Sequence, residues 1–192
     1  NVASGLARLG TAVSFVGRLG GDVIGADFQR LFDQRGVDTS TLQLDPSHPT
    51  RIVLVRRSGD GERQFQGFAG DQGDGFADQA LQPVALPSTA RWLLVGTIPL
   101  ASPQSGHALL DAVAQARSQG IALALDVNWR PTFWDPAADP VAGPTQAAQS
   151  AIRPLLEQAA LIKLAREEAL WFFAGDDPRV ISSGCLLYTS PS

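Results

Sequence analysis

The chain has no methionine and is nearly empty of four other residue types: Cys185, Lys163 and Tyr188 stand alone, and histidine occurs only as His48 and His107. Each scarcity excludes something. A single cysteine cannot form an internal disulfide framework, and it fits a reducing compartment, the cytoplasm. One cysteine and two histidines are too few for a Cys/His metal centre. The 15 Lys+Arg are scattered and the net charge is −4, so no basic footprint for nucleic acid or an acidic membrane is present. No apolar run approaches the roughly 20 residues that span a bilayer. No basic-then-apolar leader opens the chain. The absence of methionine, and a start at Asn1 within a helical pattern with no strand before it, lead us to expect a piece of a longer protein. The 192 residues are enough for one domain with a real core.

What is there alternates between two periods. Val2, Leu6 and Leu9 follow helical spacing up to Gly10. Residues 12–17 read as a strand, and Asp22 as the N-cap of a helix closed by Gly36. A strand between two helices points to a parallel sheet. The period then shortens: 41–44, 51–57 and 63–68 read as short strands, with a turn at 57–62 and a Gly- and Asp-rich loop over 67–78. After this small accessory sheet the alternation returns. We expect strands at 92–96, 121–127 and 160–164, and helices at 104–119, 145–158 and 165–173. Residues 132–144 read as a loop, and Pro154 is expected to kink or break its helix. The last segment, 182–192, continues no periodicity and is expected to be a non-native tail.

The sharpest chemical signal is Asp126-Val127-Asn128-Trp129-Arg130, with Trp134 after it. It follows the apolar run 121–125, which reads as a strand buried on both faces. The carboxyl end of such a strand is where open α/β sheets bind ligands. Alternation along an extended chain allows Asp126, Asn128 and Arg130 to share one side. Several enzyme motifs, for nucleotide binding and for serine hydrolysis, are absent. With Lys163 the sole lysine there is no G-x-x-x-x-G-K-[ST], and neither G-x-G-x-x-G nor G-x-S-x-G occurs.

Asn1-Val2-Ala3, Gly10 and Gly20 at their spacings resemble the first signature of the ribokinase-like, PfkB-type carbohydrate kinases. Gly20-Gly21-Asp22-Val23-Ile24-Gly25 is similar to that family's G-x-D-x-x-G helix start. Asp126-x-Asn128-x-Arg130-x-x-x-Trp134 resembles a block of fructokinases and 2-keto-3-deoxygluconate kinases. Residues 162–168, ending in Glu168, resemble the N-x-x-E region, with Ala165 in place of its polar residue. Together these cover residues 1 to about 181. The resemblance implies an α/β fold: a doubly wound, mostly parallel sheet with helices on both faces and a small inserted β-lid at about 41–70. It implies phosphoryl transfer from ATP, with Mg²⁺, to a sugar hydroxyl, under a lid that excludes water. The family's catalytic base is an aspartate in G-A-G-D, which nothing here matches, so this stretch alone is not expected to be catalytically competent.

On that resemblance Asn1, Asn128 and Arg130 would bind substrate, Lys163 would serve the nucleotide, and Glu168 would orient the metal through water. Plainer readings stand beside these: an N-cap for Asn1, a loop polar pair for Asn128 and Arg130, solvated charges for Lys163 and Glu168. Arg51, Arg56, Arg57 and Arg63 read as solvated edge charges. Trp129 and Trp134 read as packing, and His48 and His107 as surface or helix residues without a role. The lid stretch 64–74 has neither Tyr nor Arg to hold a carboxylate, which favours a neutral, fructose-like sugar over 2-keto-3-deoxygluconate. Another class stays open, a non-catalytic member that binds sugar or protein. Some relatives pair through their lids, so a homodimer is a further expectation.

Overall fold

The computed structural model describes residues 1–57, 63–70, 75–173, 175–177, 179 and 181, the side chains of 63–66 excepted. The tail 182–192, most of the expected turn at 57–62 and residues 71–74 of the expected loop lie outside these. The chain forms two compact units, the first Asn1–Val84 and the second beginning at Ala85.

In the first unit, helix α1 (Val2–Arg8) ends before Gly10, whose φ of 81° suits a residue without Cβ. Strand β1 (Gly17–Gly20) pairs in parallel with β2 (Leu42–Asp45), and α2 (Val23–Gln34) connects them. The first strand therefore sits later than the expected 12–17. Ser14 and Asp38 form only an isolated parallel bridge, while Gly17 pairs with Leu42. One more residue separates the partners on the second side, so the ladder is interrupted between the two pairings. Asp22 caps α2 as expected, accepting from Gly25 N–H at 2.7 Å. Beneath α2, Phe15, Phe28 and Phe32 form an aromatic cluster with centroids 4.6 to 6.0 Å apart. The small antiparallel sheet consists of β3 (Ile52–Arg57) and β4 (Arg63–Ala69). Its register shifts where Leu54 faces Gly67 and Val55 faces Phe65, a bulge next to a glycine at φ 124°.

In the second unit β5 (Trp92–Gly96), β6 (Ala122–Asp126) and β7 (Leu161–Lys163) form a parallel sheet in that order. Leu93, Val95, Leu123, Leu125 and Ile162 pack into one core with Leu109 and Val113 of α3 (Pro103–Gln119), Ile152 and Leu155 of α5 (Gln146–Gln158) and Phe172 of α6 (Arg166–Phe173). Gly120 closes α3 at φ 72°, as its position predicts. Two expectations are corrected. Pro154 does not end its helix: α5 runs through it, held on either side by the fully buried Ala148, Ile152 and Leu155. That burial, at about 1.5–3 kcal/mol per large side chain, offsets the lost hydrogen bond. The expected loop at 132–144 begins with a helical turn, α4 (Pro131–Trp134), for which Pro131 presets φ at the first position. Among the described residues no helix is long and apolar enough to cross a membrane.

Candidate functional site

Parallel register brings three strand ends into one row. Gly96 of β5 pairs with Asp126 of β6, which pairs with Lys163 of β7. Lys163 Nζ stands 2.8 Å from Asp126 Oδ1 in an ion pair whose lysine side is 71% exposed. Such a pair contributes well under about 1 kcal/mol, so the ammonium is cheaply redirected.

Beyond Asp126 the chain leaves the strand while burial goes on alternating. Val127 and Trp129 are buried, Asp126 and Asn128 are half-buried and Arg130 is exposed. The three polar residues are thus each less buried than the apolar residues between them. The backbone itself turns at Asn128, the one non-glycine with positive φ among the described residues, at 44°. Asparagine tolerates this left-handed region better than most residues. Arg130 starts α4 and donates from Nη1 to Trp129 O at 2.7 Å.

Several contacts pin this loop. The buried Thr97 hydroxyl donates to Val127 O at 2.6 Å, and Val127 N–H donates to Lys163 O at 3.2 Å. Trp129 N–H donates to Glu168 Oε1 at 2.6 Å, and Ala165 N–H donates to Glu168 Oε2 at 2.7 Å. Trp129 packs, as expected, tilted against Trp134 at 5.5 Å, with its own Nε1 donating to Ala142 O at 2.8 Å. Trp134 Nε1 is buried without an acceptor.

Glu168 is 4% exposed, so the reading of it as a solvated helix carboxylate is wrong. Both oxygens serve backbone N–H groups, one across 39 residues of sequence. Half of this was available in the sequence: a glutamate three residues after the helix-entry position is a capping signature. The neighbouring Glu167 is exposed.

Asn1 belongs to the first unit, where it occupies the N-cap position of α1. Its side chain makes no capping hydrogen bond, so the plain N-cap reading does not account for it.

The first unit also holds two carboxylate hubs. Asp22 accepts from Gly25 N–H and Thr50 Oγ1 on Oδ1, and from Thr50 N–H at 2.7 Å on Oδ2. Thr50 Oγ1 accepts in turn from Gly20 N–H at 2.9 Å. The glycines are steric necessities: a Cβ on Gly20 would lie 2.5 Å from Thr50 N, and one on Gly25 2.2 Å from Gly20 O. The G-x-D-x-x-G pattern is thus a knot joining the end of β1, the start of α2 and the entry to β3. Burial alone would raise the Asp22 pKa, but the Thr50 and Gly25 hydrogen bonds outweigh it and hold the carboxyl below its ordinary value. Asp45, almost fully buried, accepts from Arg18 Nε at 2.9 Å, His48 Nδ1 at 3.0 Å and Ser47 N–H at 2.8 Å. Here too burial opposes ionisation, and the donors Ser47, His48 and Arg18 hold the carboxyl well below the usual carboxylate range.

Two residues of the first unit differ from their expected roles. His48 is tied into the Asp45 hub and is no bystander. Arg51 is no solvated edge charge: its guanidinium lies 4.7 and 4.3 Å from the ring centroids of Phe68 and Phe76 and bonds Asp78 at 3.1 Å. Arg56 and Arg57 are exposed, as expected.

Residues 1–181 match the pfkB family of carbohydrate kinases. The chain belongs to that family. It is 33% identical over 179 residues to a fructokinase of Salmonella typhimurium, covering 92% of this chain and 54% of that one. Fructokinase from Vibrio cholerae O395 in apo form superposes with a TM-score of 0.76 at 31% identity, covering 97% of this chain and 60% of that one. The same enzyme in its fructose, ADP and calcium ion bound form gives 0.77 at 26% identity, over 99% and 58%. Fructokinase with bound ATP from Xylella fastidiosa gives 0.75 at 26% identity, over 94% and 56%. The ribokinase-like α/β fold inferred from the motifs is therefore the fold of this family member. The chain spans about half the length of the curated relatives it matches.

Proposed function

We propose that this chain is part of an ATP-dependent sugar kinase of fructokinase type, which moves the γ-phosphoryl group of ATP to a sugar hydroxyl. The observation that carries this reading is the row of strand ends at Gly96, Asp126 and Lys163, continued by the pinned loop that presents Asn128 and Arg130. Family membership, and the fructose, ADP and ATP in the relatives' structures, support it. In this reading the Asn1 and Asn128 amides bond sugar hydroxyls. The Arg130 guanidinium offers paired N–H groups to substrate or phosphate oxygens. Lys163 exchanges Asp126 for nucleotide phosphate at little cost, because the ammonium itself is 71% exposed. Transfer in such enzymes is mainly positioning and charge stabilisation, which suits side chains held on strand ends. A cytoplasmic setting agrees with the single cysteine.

Mg²⁺ is proposed as the partner of the nucleotide, a metal that binds through phosphates and retained waters and neutralises phosphate charge. The protein residues fit direct ligation poorly. Glu168 has both oxygens on backbone N–H groups, and no cluster of three metal-ligating side chains occurs among the described residues. Any effect of Glu168 on the metal is then indirect. No G-A-G-D occurs in the 192 residues, and we propose that the general base of turnover lies outside them.

The substrate is proposed to be a neutral ketohexose. With the full-length enzyme, fructose should give ADP and a sugar phosphate while 2-keto-3-deoxygluconate should not; the reverse result sinks the fructose assignment. Loss of all turnover with both would favour the non-catalytic, sugar- or protein-binding alternative. Pairing through the lid is also proposed, because Val53, Leu54 and Val55 of β3 are all exposed. Sedimentation of the V55K variant as a monomer beside a dimeric parent checks it.

A further inference from the structure

We infer that Glu168 is a positioning residue: it holds the Asn128 turn in its left-handed conformation by fastening Trp129 N–H to the start of α6. This deepens the proposed sugar site and rests on it for its functional consequence, but not for its structural one. Asn128 lies between two fixed amides. Val127 N–H is held by Lys163 O and Trp129 N–H by Glu168 Oε1. With both neighbours tied, the backbone between them adopts φ 44°, which an unrestrained residue rarely does. The other Glu168 oxygen takes Ala165 N–H, so the carboxylate is itself fixed in place. Burial at 4% exposure removes water as a competing donor and makes each bond hard to replace. Moving Glu168 thus moves Asn128 and, two residues on, Arg130, although Glu168 need touch no ligand.

Neither isosteric nor truncating replacement preserves the fastening. In Glu168→Gln one oxygen becomes an NH₂, which cannot accept from the N–H facing it. In Glu168→Ala both N–H groups lose their acceptor. The test is residue-resolved amide exchange of the full-length protein and both variants, with Val113 of α3 as the folding control. Exchange at Trp129 in Glu168→Ala should quicken about ten- to hundredfold, the range expected for losing a hydrogen bond to a charged group. In Glu168→Gln either Trp129 or Ala165 should quicken, with Val113 unchanged. Unchanged exchange at Trp129 and Ala165 in both variants overturns the inference. This arm uses no ligand and stands even if no sugar is ever turned over. In the full-length enzyme, Glu168→Gln should raise the KM for sugar several-fold with a smaller change in kcat. A sugar KM equal to the parent's would refute the positioning role at the site.

Discussion

Replacing Asp22 by asparagine leaves the volume of the side chain unchanged and removes one acceptor. Its Oδ1 can still take Gly25 N–H and the Thr50 hydroxyl, so the helix cap survives. Its Nδ2 then faces Thr50 N–H at 2.7 Å, donor against donor. Losing a hydrogen bond to a charged acceptor and stranding the amide should cost about 2–3 kcal/mol. For a chain of this size that lowers Tm by roughly 5–10 °C. The four tryptophans, Trp92, Trp129, Trp134 and Trp171, all lie in the second unit, so their fluorescence follows that unit alone. Amide exchange in α2 and at the start of β3 reports the first unit and should quicken thirtyfold or more, the equivalent of about 2 kcal/mol. The pH response follows from the same hub. The Asp22 and Asp45 pKa values are depressed in the folded chain, so their contribution is complete above the unfolded value of about 3.9 and lost as pH falls through the lower folded values. The parent chain should therefore lose first-unit protection below about pH 4 more steeply than Asp22→Asn. Exchange within twofold of the parent at neutral pH would refute the hub argument.

Two further substitutions separate structure from function. Gly25→Ala places a Cβ 2.2 Å from Gly20 O, backbone against backbone, and should cost about 3 kcal/mol or more, read as lost exchange protection along α2. Lys163→Ala breaks only an exposed ion pair and should change unfolding free energy by less than about 1 kcal/mol, while weakening nucleotide binding about tenfold by calorimetry.

Local signals were legible where local chemistry decides. Asp22 as a cap, Gly120 as a stop and residues 121–127 as the central strand follow from short-range rules. The alternation of burial, with Asp126, Asn128 and Arg130 less buried than Val127 and Trp129, was legible as well, because it outlasts the strand. What was hidden depends on partners distant in sequence. Arg51 looks like an edge charge until Phe68, Phe76 and Asp78 enclose it. Glu168 looks like a surface carboxylate until Trp129 comes to it. Pro154 looks like a helix breaker because propensity does not count the core beneath α5. The shifted first strand reflects one extra residue on the partner side, invisible in either segment alone.

The central claim is that the loop after β6 presents a sugar-binding face. The most direct measurement is steady-state kinetics of Asn128→Ala and Arg130→Ala in the full-length enzyme, varying sugar and ATP separately. Each variant should raise the KM for fructose about tenfold, the worth of roughly one hydrogen bond, while the KM for ATP stays unchanged. A fructose KM equal to the parent's in both variants would contradict the account, and would place the sugar elsewhere in the protein.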